Sequence, residues 1–394
     1  MKKKLLVLGG SQFQVPLIKK AQKKGLFVGV FDINENCIAR EHADFFYRVS
    51  LKDKEEALNA ARQFCPNGVT VGMVDVAVPS CAYITHSLGL PGISLKASVL
   101  ASNKYEMIRA FSKAGVPHPK YQYISKDNIA KTECHIPYPV IVKPVDMAGS
   151  RGIFLAHNNE EFEIAIKKSS ELGDSGNVIA EEYLLGPEVS VELIIKDGKA
   201  HAIQVTDKTT SGEPHFAEIG HLQPSQLNQD LLNSIKKVAC SAAESLKLTN
   251  SLGHAELKIT HNGPTMIEIG ARQGGDGIAE QLIELSTGVS FNDIAIQIAM
   301  GESFFVPTKI EKKASCIRFI TSQNGILSAI NGVDEARKEK NIVEISIDGI
   351  VGHKYKDMVD NSGRVGYVIS KANSADEAKE ACDKAINDIS ISYL

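Results

Sequence analysis

The chain opens on short apolar runs divided by glycine and polar loops. Residues 5–8 read as a buried strand, Gly9-Gly10-Ser11 as a loop, 15–24 as a helix closed by Gly25, and 27–33 as a second strand with Asp32 near its end. A third strand is predicted over 70–76, carrying Asp75. Asn103 with Glu106 three residues on predicts a helix start, with Lys104 in the first turn and a stop after Ala114 at Gly115. Residues 139–143 form an apolar strand ending in Lys143, and strands before and after a Gly186-Pro187 turn carry Glu181, Glu182, Glu188 and Glu192. Around 254–272 the alternation is strict. Ala255, Leu257 and Ile259 alternate with His254, Glu256 and Lys258; Ile267, Ile269 and Ala271 then alternate with Met266, Glu268, Gly270 and Arg272, and Asn262-Gly263 marks the turn. A three-residue loop, His261-Asn262-Gly263, sets Thr260 opposite Pro264 and Glu256 opposite Glu268. Beyond, 231–246, 278–285 and 291–300 are helical runs, the last with Ser290 as N-cap; 315–321, 342–347 and 365–370 read as strands, and 375–389 as an amphipathic closing helix.

Candidate chemistry sits on these elements. The first strands and glycine loop resemble a Rossmann-type unit, but 9–14 lacks the spaced glycines of a dinucleotide fingerprint. Asp32 and Asp75 lie where open α/β sheets hold ligands, and equally suit caps or turns. Opposed cross-strand carboxylates, with Cβ atoms roughly 4.5–5.5 Å apart, repel. Glu256 and Glu268 therefore call for a cation between them; two hard oxygen ligands with a phosphate-bearing substrate suit Mg²⁺, with Mn²⁺ as a substitute. The plain structural alternative is a solvated hairpin face. Arg272, on the Glu268 face, suits a phosphate or carboxylate. Lys104 in a first turn opposes the helix dipole unless an anion lies nearby. Gly149 and Gly152 free a loop whose N–H groups, with Ser150 and Arg151, can fold over phosphate oxygens, although a simple turn has the same look. Glu181, Glu182 and Glu188 can accept from an adenine amino group or ribose hydroxyls, or be exposed strand-end acids. The polar, glycine-bearing stretch 211–224 reads as a turn-rich connection, in which Glu218 or His221 is a candidate to hold or deprotonate an amine.

Composition narrows the partners. A length of 394 residues suggests two to three domains, and 43% hydrophobic with 23% charged residues is ordinary for a globular protein. With 44 basic against 47 acidic residues, the net charge of -3 implies no nucleic-acid or anionic-membrane surface. The seven cysteines have no paired spacing for zinc or redox work and read as reduced cytosolic thiols. The apolar run after Lys2 to Lys4 ends too early for a signal peptide, and no run is long enough to span a bilayer, so the expected location is cytoplasmic.

Taken in order, Lys104, Lys143, the 149–152 loop, Glu181-Glu182-Tyr183-Leu184, Glu188, Glu256, Glu268 and Arg272 resemble the ATP-grasp superfamily of carboxylate-amine ligases over nearly the whole chain. The resemblance implies an α/β fold with a Rossmann-like preATP-grasp domain (1–100), a lid subdomain (101–185), an ATP-grasp core with the hairpin (186–305) and a C-terminal lobe (306–394). It implies ATP and Mg²⁺. Lys104, Lys143, Ser150, Arg151 and Gly152 match phosphate-contacting positions, Glu181 to Leu184 the adenine segment, Glu188 the ribose acid, and Glu256 and Glu268 the metal ligands. Arg272 matches an arginine at the acyl phosphate, with Lys143 as its catalytic companion and Gly274 and Gly275 beside it as substrate-site candidates. Gly270 departs from the pattern, since many superfamily members carry Asn there. The segment Glu268 to Asp276 and the 351–368 stretch are most similar to the L-amino acid (dipeptide) ligase branch; phosphoribosylglycinamide synthetase and carbamoyl-phosphate synthase large-chain-like proteins are related.

The implied reaction phosphorylates a substrate carboxylate and couples the acyl phosphate to an amine, releasing ADP and phosphate, with no covalent protein nucleophile. Expected partners are small-molecule carboxylates and amines, and a homodimer remains open. The alternatives are a purine-pathway enzyme of the same layout, a dehydrogenase resting on the N-terminal unit, and a noncatalytic nucleotide-binding protein.

Overall fold

Parallel pairing organises the N-terminal unit, where strands Phe45–Arg48, Phe27–Asp32, Lys4–Leu8 and Gly68–Thr70 lie side by side in that order. The computed structural model describes residues 2–149, 151–213 and 215–394. Leu5 to Leu8 are fully buried, as are Val28, Val30 and Phe31, the continuous apolar runs that a sheet covered on both faces requires. The third strand is shorter and earlier than its apolar run predicts. Gly72 takes a left-handed backbone at φ +54° and breaks the run. The chain instead turns through Asp75–Ala77 into helix Val78–Leu88, so Asp75 sits on a helical turn rather than a strand end.

The glycine loop of this unit is filled by the chain itself. Gln14 is fully buried and its Oε1 accepts from the Ser11 N–H at 2.6 Å. Asp32 accepts from the Gly10 N–H at 2.7 Å and the Asn34 N–H at 2.8 Å, which is turn chemistry. The N–H groups a pyrophosphate would need are thus taken, and the dehydrogenase reading loses its basis.

A second sheet, antiparallel, runs Tyr121–Ile124, Val178–Glu182, Val140–Pro144, Phe154–Ala156. Helix Asn159–Leu172 covers one face through Phe162, Ala165 and Ile166. The largest sheet has eight strands in the order Gly263–Gly270, Ser251–Thr260, Glu188–Lys196, Lys199–Thr210, Glu218–Gln223, Ala314–Thr321, Arg364–Ala372, Ile342–Ile347. Its last three strands come from the stretch expected as a C-terminal lobe. The residues Glu218–Gln223, expected in a turn-rich connection, form an interior strand. Their polarity misleads because part of it is met inside the fold: the buried Gln223 donates to Thr206 Oγ1 at 2.9 Å and accepts from Ser286 Oγ at 2.8 Å.

The hairpin pairs Glu256 with Glu268, as the alternation predicts, by a different route. Its loop has two residues, His261 and Asn262, because Thr260 pairs with Gly263 rather than Pro264. Leu257 pairs with Met266, which leaves Ile267 as an extra residue in one strand. This bulge restores the register that the shorter loop would have shifted by one.

Candidate active site

A cleft of about 350 Å³ opens between the eight-stranded sheet, the smaller antiparallel sheet and the N-terminal unit. At one end, adjacent strands bring Lys143 and Glu181 together at 2.7 Å, with side chains 4% and 7% exposed. The Glu181 carboxylate is therefore paired inside the protein. Glu182 Oε2 accepts from the Lys120 N–H at 3.3 Å, and the Tyr183 hydroxyl donates to Glu213 at 2.7 Å. Leu184, Ile141, Ile267 and Ile278 add apolar wall to the same cleft.

The other end is a lattice of opposite charges. Lys208, its side chain 2% exposed, lies 2.7 Å from Glu188, 2.9 Å from Glu218 and 3.1 Å from Glu256. Burial works against the charge on Lys208, but the three carboxylates override it and raise its pKa well above the usual lysine value. Burial alone would likewise raise Glu218 and Glu256; Lys208, helped by a neighbouring histidine in each case, holds both well below the usual carboxylate range. His254 bonds Glu192 through Nδ1 and lies 3.2 Å from Glu256 through Nε2. Against the opposing effect of burial, these acids push its pKa up to about 9.

Lys104 opens helix Lys104–Ala114, whose N-cap Asn103 accepts from the Tyr105 and Glu106 N–H groups at 3.1 Å. Its ammonium lies 2.9 Å from Glu268 and donates to the Met147 carbonyl at 2.7 Å. Glu268 is the anion that a lysine in a first turn calls for. Arg272 makes a two-point bond to Asp75 at 2.7 and 2.6 Å. Further along, Arg364 pairs with Asp276 at 2.9 Å, donates to the Glu218 carbonyl at 3.1 Å and lies 3.6 Å over the Phe319 ring.

Most sequence-predicted residues line this one cleft: Lys104, Lys143, Arg151, Glu181 to Leu184, Glu188, Glu218, Glu256, Glu268, Arg272 and Gly275. Ser150 lies outside the described residues. Gly152 turns away at φ +75° against Pro144. Gly274 sits beneath the floor, its N–H donating to Glu192 at 2.9 Å, in a space where a Cβ would meet Glu192 and His254. His221 is fully buried behind Glu218 at 3.3 Å, too poorly aligned to count as a hydrogen bond, so both ring nitrogens are without a partner. Glu218, His221 and Asp276 bring ligand atoms within 4.8 Å of one another. Lys208 lies 2.9 Å from Glu218 and Arg364 2.9 Å from Asp276, so two protein cations border this cluster.

Sequence reasoning missed Lys208, Arg364 and Asn361, whose amide links Glu218 to Asp276. Only the alternation of Gln204, Thr206 and Lys208 along one strand face carried a signal for the first of these.

Residues 136–280 match the family described as "ATP-grasp domain" and residues 318–393 "L-amino acid ligase C-terminal domain 2". Alanine–anticapsin ligase of Bacillus subtilis (strain 168) is 30% identical over 246 residues, which cover 56% of this chain and 51% of that protein. The chain thus spans about half the length of such curated relatives. Among solved structures, an L-amino acid ligase from Bacillus licheniformis superposes with a TM-score of 0.88 at 23% identity, covering 100% of this chain and 99% of that one. A phosphoribosylglycinamide synthetase from Anaerococcus prevotii gives 0.81 at 23% identity, covering 100% of both. At these identities the structures speak to fold alone.

Proposed function

We propose that this chain, whose residues 136–280 match the ATP-grasp domain family and which shares the fold of an L-amino acid ligase, is an ATP-dependent ligase that phosphorylates a substrate carboxylate and joins the resulting acyl phosphate to an amine. The observation that carries this reading is the pair of opposed carboxylates, Glu256 and Glu268, set in one cleft with Lys104, Lys143 and Arg272. The donor set fits Mg²⁺: two hard oxygen ligands on neighbouring strands, with Glu256 held ionised. When bound there, the ion would neutralise phosphate charge and orient the transferred group.

Each protein group then has a task. Glu181 to Leu184 and the apolar wall hold the base, and Glu188 the ribose. Lys104 and Lys143 exchange their present partners, Glu268 and Glu181, for phosphate oxygens. The carboxylate attacks the γ-phosphorus in line, ADP leaves, and the amine displaces phosphate from the acyl carbon. Arg151 and the glycine loop exclude water from the acyl phosphate, and Arg272 contacts its developing charge. Glu218, kept ionised by Lys208, is a weak base at neutral pH; it holds the arriving amine as ammonium, which loses one proton to water before attacking as the free amine, and a second N–H proton leaves with the departing phosphate as the amide forms.

The test is ADP release from ATP and Mg²⁺ across amino acids offered singly and in pairs, with mass detection of the product. Pair-dependent ADP with a new amide mass supports the proposal. ADP formed only with phosphoribosylamine or bicarbonate plus one carboxylate would replace it with a purine-pathway role, and nucleotide binding without ADP would point to a noncatalytic protein. Glu218→Gln should raise the amine concentration needed for half-saturation; unchanged amine saturation removes Glu218 from the pocket.

A further inference from the structure

The Arg272–Asp75 pair joins two parts of the chain separated by 197 positions. Arg272 follows the metal-binding hairpin, and Asp75 stands on the helical turn Asp75–Ala77 of the N-terminal unit. Nε and Nη2 donate to the two carboxylate oxygens at 2.7 and 2.6 Å, and Nη1 donates to the Gln273 carbonyl at 2.9 Å. Guanidinium has five N–H donors, so two are left, on a group whose plane is fixed from one side. Both Arg272 and Asp75 line the cleft, and the arginine side chain is only 11% exposed.

Gly270 makes this pair possible. A Cβ at residue 270 would lie 2.7 Å from Asp75 Oδ1 and 3.2 Å from both Cγ and Nε of Arg272. Gly270 does not have a positive φ, so backbone conformation does not call for glycine here. A side chain at 270 and the two-point ion pair compete for one space.

We propose that Asp75 is a positioning residue for the reaction. It aims Arg272 at the anion in the cleft, and Gly270 is the vacancy that admits its carboxylate. The inference rests on Arg272 contacting substrate anion, as proposed above. Asp75 itself touches no reacting atom; its carboxylate orients the arginine and offsets part of its charge, so that the free N–H groups point one way. The N-terminal unit thereby becomes part of the catalytic arrangement rather than a support beside it.

The test compares Asp75→Asn, Asp75→Ala and Gly270→Ala with wild type, and adds the Asp75→Ala/Gly270→Ala double variant. Each single change should lower kcat about 10- to 100-fold, the worth of one charge-assisted hydrogen bond, with KM for ATP within about twofold. The double variant should lose no more than the worse single one, because all break the same contact. Additive losses, an unchanged kcat in Asp75→Ala, or a loss confined to KM for ATP would overturn the proposal. A second readout does not depend on turnover. The Arg272 Nε–H signal in ¹⁵N NMR should be protected from exchange in wild type and lose that protection in both Asp75→Ala and Gly270→Ala; protection retained in either variant overturns the proposal. If wild type releases no ADP with any substrate, the ligase reading fails, while the NMR result still decides whether Asp75 and Gly270 set Arg272.

Discussion

Replacing Lys208 with methionine tests the electrostatics of the cleft most directly. Methionine keeps the volume of the stem but removes the ammonium from the midst of Glu188, Glu218 and Glu256, which it meets at 2.7, 2.9 and 3.1 Å. Breaking a buried ion pair by deleting one partner costs about 3–5 kcal/mol, since the remaining charge is stranded. Here the three carboxylates keep 16–19% of their surface, and Lys258, His254 and Arg364 reach them from other sides. Allowing for that relief, the expected cost is about 2–4 kcal/mol at pH 7.5. The pH dependence has a definite sign. Glu218 and Glu256 have folded pKa values below their ordinary 4.5, so the stability they contribute is present above that value and lost as pH falls. Lys208 has its pKa raised, so its contribution persists until pH climbs past 10.5. The deficit of the variant should therefore be full between about pH 5 and 10 and shrink in acid. Urea titrations of both proteins at pH 7.5 and pH 4 measure it. A cost below about 1 kcal/mol at pH 7.5, or one equal at both pH values, would refute the reasoning.

Glu268→Ala should abolish ADP release while leaving the circular dichroism spectrum unchanged; undiminished turnover would refute the metal assignment. Burial raises the pKa of Glu280 to about 8, so its contribution to stability is present below 4.5 and declines as pH rises to about 8. Denaturation at pH 5, 6, 7 and 8 should show that decline, with a slope up to about 1.4 kcal/mol per pH unit, in wild type and not in Glu280→Gln; equal slopes would sink the idea. His254, raised to about 9, adds a separate decline between 6.5 and 9 that should survive in Glu280→Gln and vanish in His254→Asn. Ile267→Ala should weaken ADP binding by about 1–2 kcal/mol, the transfer value of the lost methylenes, and calorimetry giving wild-type affinity would remove Ile267 from the nucleotide wall.

What could be read from the chain divides along a physical line. Lys104 and Lys143 were legible because each sits at a punctuation mark, one behind an N-cap and the other at the end of an apolar run. Glu256 and Glu268 were legible because both strands of a hairpin lie within one short stretch, so register follows from local pattern. Lys208 was not, since a lysine on a strand is usually solvated, and only the arrival of Glu188, Glu218 and Glu256 from three other strands makes burying it tolerable. Arg364 and Asp276 were hidden for the same reason. Their pairing depends on the C-terminal strands joining the sheet that holds the hairpin, which no local period reveals. The third strand failed through Gly72, where one left-handed residue outweighed an apolar run.

The hairpin shows how local pattern and function part company. Strict alternation would send Ile267 and Glu268 to opposite faces, and a regular ladder closed by a two-residue loop would not set Glu256 against Glu268. The bulge changes both outcomes with one residue. It lets the short loop keep the acids opposed, and it places Ile267 in the cleft wall beside Glu268. The same few residues thus present an apolar surface suited to a base and an acid suited to a cation. Two positions on, Gly270 leaves the strand without a side chain where Asp75 enters from the N-terminal unit. On the proposed reading, the hairpin's irregularities, the bulge and the bare glycine, are where three roles would be fitted into one strand: base wall, metal ligand, and room for the carboxylate that aims Arg272.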